Sequence, residues 1–221
     1  MKPVSHYIEH VYQPTNISCG QSAVSMLLSA YDVRVDVQDV MQDIPMLKDD
    51  EGKEWGTFGV DLARFCMRQG FVATYVSFDC LLTDQKWAGL SQKILAKKVA
   101  AKRKSVPAIG KNLTTSFLRS YGHFLKEKGE LLIEPRLTSA LVYDQLRKGP
   151  LIALVTFGAM YGRGTGTHFV VVYGNDAKGN FLVADSWEKP GRHVVEPERL
   201  IAAVMAGQMT CENAVFWVRK K

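Results

Sequence analysis

The chain has 221 residues, 47% of them hydrophobic and 23% charged, the composition of an ordinary soluble globular protein with enough apolar material for a sizeable core. Residues 1–15 contain no apolar signal-peptide core, and the apolar run at 151–160 falls far short of the roughly 18 residues a membrane span needs, so a soluble, unprocessed, cytoplasmic protein is expected. The formal charge of +6 is concentrated: from Lys86 to Lys128 stand eleven Lys and Arg against Glu127 alone, which leaves the remainder of the chain acidic on balance.

One domain spanning 1–221 is expected, or two lobes sharing a cleft. Its four cysteines, at 19, 66, 80 and 211, form no CxxC pair and have no histidine at zinc-ligand spacing, so no disulfide scaffold, metal or other cofactor is indicated.

In chain order, Val24, Leu27, Leu28 and Tyr31 recur at three-and-four spacing, which predicts a helix over 18–31 with Ser18 and Gln21 as a capping box. Cys19 then falls in the first turn. Short helices follow over 37–43 and from Thr57, a good N-cap, to Gly70, a good stop. Cys66 lies inside the second of these and reads as a small core residue; Cys80 and Cys211 carry no signal.

Across 87–104, Trp87, Leu90, Ile94, Leu95 and Val99 share a face, and most of the lysines lie elsewhere, so an amphipathic helix is predicted, ended by Pro107 and Gly110. Another apolar pattern covers 113–125, and a short helix over 139–148 stops at Gly149-Pro150. The basic stretch, about 84–130, reads as a helical insertion. Its lysines form a solvated face, a lid or docking element over a cleft, or a polyanion contact through Lys97, Lys98, Lys102, Arg103 and Lys104.

From 149 onward the character changes. Stretches 151–157, 168–173, 180–184, 193–195 and 214–218 are β-branched and aromatic, separated by turn signals such as Lys178-Gly179-Asn180, and are expected to form one antiparallel sheet. The fold class is therefore α+β, a helical N-terminal lobe carrying Cys19 packed on a C-terminal antiparallel sheet.

The chemistry-bearing residues are spread over both parts. A helix start favours a thiolate, the form in which cysteine is a nucleophile, and a neighbouring imidazolium strengthens that preference. His168 opens an apolar strand after the glycine-rich run 161–166. Asp185 ends the next strand, where a hairpin would bring it level with His168 to hold the ring's tautomer. Gln13, six positions before Cys19, is a candidate oxyanion donor or a turn glutamine before Pro14. Trp187 shields the His168 pair or is a plain core tryptophan, and Trp55-Gly56-Thr57 is a cleft wall or a helix cap.

His6, His10, His123 and His193 are rival bases, but only His168 has a following strand, an acid and a tryptophan in order. Asp176, the rival acid, falls in a hairpin turn.

The order Gln13, Cys19, His168, Asp185 resembles that of the papain-like cysteine peptidases, and Asp185-Ser186-Trp187 is similar to the Asn-Ser-Trp that ends their triad, with aspartate for asparagine. The run from Thr167 to Gly174, with Asp176, Gly179 and Asp185 beyond it, resembles more closely the double-glycine leader peptidases that process bacteriocin precursors, and their stand-alone relatives. The likeness covers about 13–31 and 146–187.

Two departures stand out: Ser18-Cys19-Gly20-Gln21 lacks the Cys-Gly-Ser-Cys-Trp of papain, and no proline follows Asp185. No GxxxxGK[ST] motif is present, which argues against an attached ATPase. The resemblance implies a papain-like fold and peptide or isopeptide cleavage by Cys19, His168 and Asp185. In that scheme Gln13 is at the oxyanion, and Trp187, Ser18 and Gly20 support the site. The same residues would serve a glutamine deamidase, a transglutaminase or a γ-glutamyl transferase. A third reading is a non-catalytic module that binds a polyanion or peptide.

Overall fold

The computed structural model describes residues 2–44, 46–48, 51–78, 83–105, 111–134, 136–187, 191–207, 212 and 214–221. Cys80, Cys211, Pro107 and Gly110 lie outside them. The chain runs β1 (Val4–Ser5), α1 (Cys19–Ser29), α2 (Val37–Asp43), β2 (Leu47–Lys48), β3 (Glu54–Gly56), α3 (Gly59–Arg68) and β4 (Phe71–Ser77). It continues with α4 (Gln92–Ser105), α5 (Lys111–Lys126), β5 (Glu130–Ile133), α6 (Ser139–Leu146), β6 (Leu151–Thr156) and α7 (Phe157–Tyr161). Last come β7 (Thr167–Asn175), β8 (Phe181–Asp185), β9 (Arg192–Val195), α8 (Pro197–Met205) and β10 (Val215–Lys220).

The large sheet has the order β5-β4-β10-β6-β7-β8-β9, with β1 paired to the far end of β7. It is antiparallel except where β4 meets β5. The α+β class holds, but the sheet is not confined to the back of the chain. β4, absent from the sequence reading, is a strand of the same sheet, and its parallel partner β5 also comes from the front part.

Along β7, residues point alternately to two cores. Phe169, Val171 and Tyr173 pack in the core formed with α1, α3 and α5, whereas Val170 and Val172 pack with Leu146 of α6 and with Leu200 and Val204 of α8. Helices therefore cover both faces, which is why β7 reads as an unbroken apolar run.

Local chemistry sets several helix starts. Asp36 caps α2 by accepting from Gln38 N at 2.7 Å, and Thr138 caps α6 by accepting from Leu141 N at 3.3 Å. α8, which the sequence reading missed, opens with Pro197 and buries Leu200, Ala203 and Val204.

The predicted helix over 87–104 is broken: a 3-10 turn at Gln85–Trp87 precedes Gly89, whose φ of 73° interrupts it, and α4 begins only at Gln92. The described part of this basic stretch packs into the core. Phe117, Tyr121 and Phe124 of α5 are fully buried, and the Tyr121 ring meets Tyr75 of β4 edge-on at 5.3 Å. Such a pair contributes about 0.5–1.5 kcal/mol beyond its buried area. Among the described residues no helix is long and apolar enough to cross a membrane.

Candidate active site

Cys19 is the first residue of α1 and is half-buried. The expected capping box does not form. The Ser18 hydroxyl is spent backwards, donating to Thr15 O at 3.1 Å and accepting from Thr15 N at 3.0 Å, so no side chain caps α1. An uncapped helix start leaves N–H groups and the positive end of the dipole, which favour an anion there. At Gly20 a Cβ would stand 2.8 Å from Leu62 Cδ1 and 3.1 Å from Phe169 Cδ2, so a larger residue would have to push these side chains aside for this end of α1 to settle so close to α3 and β7.

His168 sits near the start of β7, buried, with Nε2 bonded to Asp185 Oδ1 at 2.7 Å. The two are not level across the hairpin as expected. Asp185 pairs with Val170, so it meets His168 as a diagonal neighbour on the same face, a span within reach of a histidine. With Nε2 engaged, Nδ1 is the ring nitrogen left for the Cys19 thiol, which lies within hydrogen-bonding reach of the ring.

Burial is the largest single influence on His168 and works to lower its pKa. The hydrogen bonds to Asp185 and Cys19, with the charges of both, outweigh it and hold the ring at about 9. For Asp185 burial works upward, but the His168 bond and charge, the Tyr161 hydroxyl and the Trp187 N–H together bring the carboxyl below its ordinary range.

Aromatic rings close in on the pair. Phe157 stacks on the His168 ring at 5.2 Å and 26°, and Trp187 meets it edge-on at 5.9 Å while remaining 48% exposed. Trp187 is therefore not a plain core tryptophan: it covers the histidine with one side and faces solvent with the other.

A cleft of about 400 Å³ opens over these residues, with Cys19, His168, Trp55, Phe157, Trp187 and Glu212 on its walls. Trp55, Gly56 and Thr57 all line it, which favours their reading as a wall; the cap position of α3 belongs to Phe58. Gln13 is not on the cleft wall. Its Nε2 donates to Thr15 O at 2.7 Å and its Oε1 accepts from Ser186 Oγ at 2.9 Å.

Residues 6–13 form a strap that crosses behind the site. Gln13 N donates to Ser186 O at 3.1 Å and His10 Nε2 bonds the main-chain oxygen of Asp185 at 2.7 Å, so His10 supports the corner and does not line the cleft. His6 is engaged with Leu146 O, also at 2.7 Å. Asp176 holds its hairpin turn through Asn180 N at 2.8 Å and Asn180 Nδ2 at 2.9 Å.

Two residues with a bearing on the site were not legible as such. Tyr161, in the glycine-rich run, donates a short hydrogen bond to Asp185 Oδ2. Glu212 lies on the cleft wall, its carboxyl accepting from Gly59 N at 2.9 Å, Val60 N at 3.3 Å and the Tyr75 hydroxyl at 2.5 Å. Burial, aided by the charge of Asp61 and opposed by those donors, raises Glu212 to about 7. Cys66 is fully buried and pushed up to about 12. No group of three or more His, Cys, Asp or Glu is placed to hold a metal among the described residues.

No protein-family model matches the chain, and no curated protein matches it in sequence. Solved structures do match. The peptidase domain of Streptococcus ComA, a bifunctional ABC transporter involved in a quorum-sensing pathway, superposes with a TM-score of 0.53 at 10% identity, over 97% of this chain and 100% of that one. A double-glycine-motif protease from an AMS/PCAT transporter, bound to its leader peptide, gives 0.49 at 12% identity over 100% and 99% of the two chains. The bromelain protease of Ananas comosus, bound to the inhibitor E64, gives 0.47 at 10% identity over 97% and 94%. The first likeness shows the fold: this chain has the α+β fold of papain-like peptidases.

Proposed function

We propose that the protein is a cysteine peptidase in which Cys19 is the nucleophile, His168 the acid and base, and Asp185 the residue that orients His168. One observation carries this reading: a buried imidazole bonded to Asp185 at 2.7 Å offers its other nitrogen to a thiol at a helix start, on the wall of an open cleft.

In this scheme the Cys19 thiolate attacks the carbonyl carbon of a peptide or isopeptide bond. The oxyanion takes hydrogen bonds from the Cys19 N–H and from the Gln13 amide, whose Nε2 has a second proton beyond the one given to Thr15. For that role the Gln13 side chain must turn toward the cleft when substrate binds. His168 then protonates the leaving nitrogen as the C–N bond breaks, and a thioester remains on Cys19. Water, giving its proton to His168, attacks the thioester and releases the acid product and the thiolate. Ser18 and Gly20 support this by fixing the turn and the seat of α1.

The substrate is a peptide or protein, and residues 1–221 act as one catalytic domain, with 84–130 part of its core. Deamidation forms its thioester on a glutamine side chain with ammonia as the leaving group, and transfer differs from hydrolysis in that an amine, not water, attacks the thioester. Adding a primary amine to the reaction separates these outcomes by the product formed.

Iodoacetamide labelling at pH 6, mapped by mass spectrometry, tests the assignment. Cys19 is expected to label, Cys19→Ala to abolish labelling, and His168→Ala to shift it toward alkaline pH, while Cys66 stays silent. Labelling at another cysteine in place of Cys19 refutes the reading.

A second contact is favoured by the unpaired cations of α4. Lys97, Arg103 and Lys104 are exposed, and Lys98 lies over the Trp87 ring at 5.6 Å. Among the described residues no acid pairs with these or with Lys102. A polyanion is the chemistry such a face would hold.

A further inference from the structure

We propose that Tyr161 is a positioning residue, required because position 185 is aspartate and not asparagine: its hydroxyl fixes the second carboxylate oxygen, which an amide would not present. The inference rests on the cysteine-peptidase reading.

The two oxygens of Asp185 have different partners. Oδ1 accepts from His168 Nε2 and from Trp187 N, both at 2.7 Å, and Oδ2 accepts from the Tyr161 hydroxyl. Asp185 is buried, so an Oδ2 left without a donor would bear the full cost of its lost hydration. Turning the carboxylate to find another donor would carry Oδ1 away from His168. With asparagine at 185 the corresponding atom is an N–H donor, and the need for Tyr161 disappears.

α7 is built for this task. It begins directly after β6, where Val155 pairs with His168 and Thr156 with Thr167, so its first residue, Phe157, lands beside the imidazole and stacks on it. Four residues on, one helical turn, Tyr161 shares that face and reaches Asp185. Met160 anchors the turn in the core with Leu200 and Val204 of α8, and Gly162, at φ 70°, ends it. A single turn of helix therefore holds the base through one ring and its acid through another.

Tyr161→Phe removes the hydroxyl and keeps the ring. The rate of Cys19 alkylation by iodoacetamide at pH 6 is expected to fall about tenfold, the loss typical of a donor to a charged group. The Asp185 carboxyl, followed by its ¹³C shift, is expected to titrate at higher pH than in the wild type. In an Asp185→Asn background the same change is expected to cost less than about threefold, the difference being the coupling of the two side chains. Substituting 3,5-difluorotyrosine at 161, a stronger donor of nearly the same size, is expected to lower the Asp185 titration, and this holds the test open should Tyr161→Phe not fold.

Equal costs in both backgrounds, or an Asp185 titration unmoved by either change at 161, overturn the proposal. A wild-type protein that is not alkylated at Cys19 refutes the peptidase reading itself, whereas wild-type labelling without coupling refutes only the role of Tyr161.

Discussion

Asp185 and Glu212 are both buried, and each accepts hydrogen bonds from three donors, one of them a tyrosine hydroxyl. They nonetheless shift in opposite directions. Asp185, at the end of β8, is drawn below the ordinary carboxyl range, and Glu212, under the start of α3, is raised to about 7. What separates the two regions is the charge of one neighbour. Asp185 faces a histidine held at about 9, hence a cation at neutral pH, while Glu212 has only neutral donors and feels the like charge of Asp61. At Glu212 the neutral donors offset only part of the desolvation, whereas at Asp185 the positive charge of His168, added to its neutral donors, reverses it.

The strongest way to break this contrast is to remove the cation. In His168→Ala, peptide hydrolysis is expected to fall by about 10²–10⁴-fold. Asp185 should then behave like Glu212, its titration moving above the ordinary range as followed by ¹³C NMR. Deprotonating His168 does the same reversibly. Hydrolysis by the wild type should decline as pH rises through about 9, where the group that protonates the leaving nitrogen is lost. Because its folded pKa is raised, the His168 contribution to stability is whole below the unfolded value of about 6.5 and gone above about 9. Urea unfolding at pH 6, 8 and 10 reads that loss.

Glu212→Gln sharpens the other half of the comparison. A carboxyl raised to about 7 contributes stability that is full below its unfolded value and lost as pH rises through 7. Relative to the wild type, the glutamine variant should gain on the order of 1–3 kcal/mol at pH 8.5 and little at pH 5, measured by urea unfolding. The smallest effect belongs to charges that face water. Lys97→Ala with Lys104→Ala should change stability by less than about 0.5 kcal/mol and, if α4 holds a polyanion, weaken retention on heparin.

The same contrast explains what could be read from the residues alone. His168 and Asp185 were legible because each sits at a strand end, 17 positions apart, and strand periodicity limits where such side chains can meet. α2, α5 and α6 were legible from apolar spacing and local stops. The cap of α3 was not, since Glu212 reaches Gly59 from 153 positions away, and no local pattern encodes such a contact. Tyr161 was hidden for a related reason: glycines at 162, 164 and 166 make the run look like a loop, while α7 is a single turn held in place by α8. The capping box at Ser18 failed because Thr15 competes for the same hydroxyl, a choice between two local bonds that spacing cannot decide.

The strap of residues 6–13 gives the reactive corner a remote fastening. His10 grips the main chain of Asp185 across 175 positions of sequence, and Gly191, at φ 67°, leaves the space that a Cβ would take from the His10 ring. A protease that nicked this ribbon would strike neither sulfur nor imidazole, yet it would release the support behind the carboxylate. Such a clip offers a way to silence the protein from its outer edge while the cleft itself stays intact.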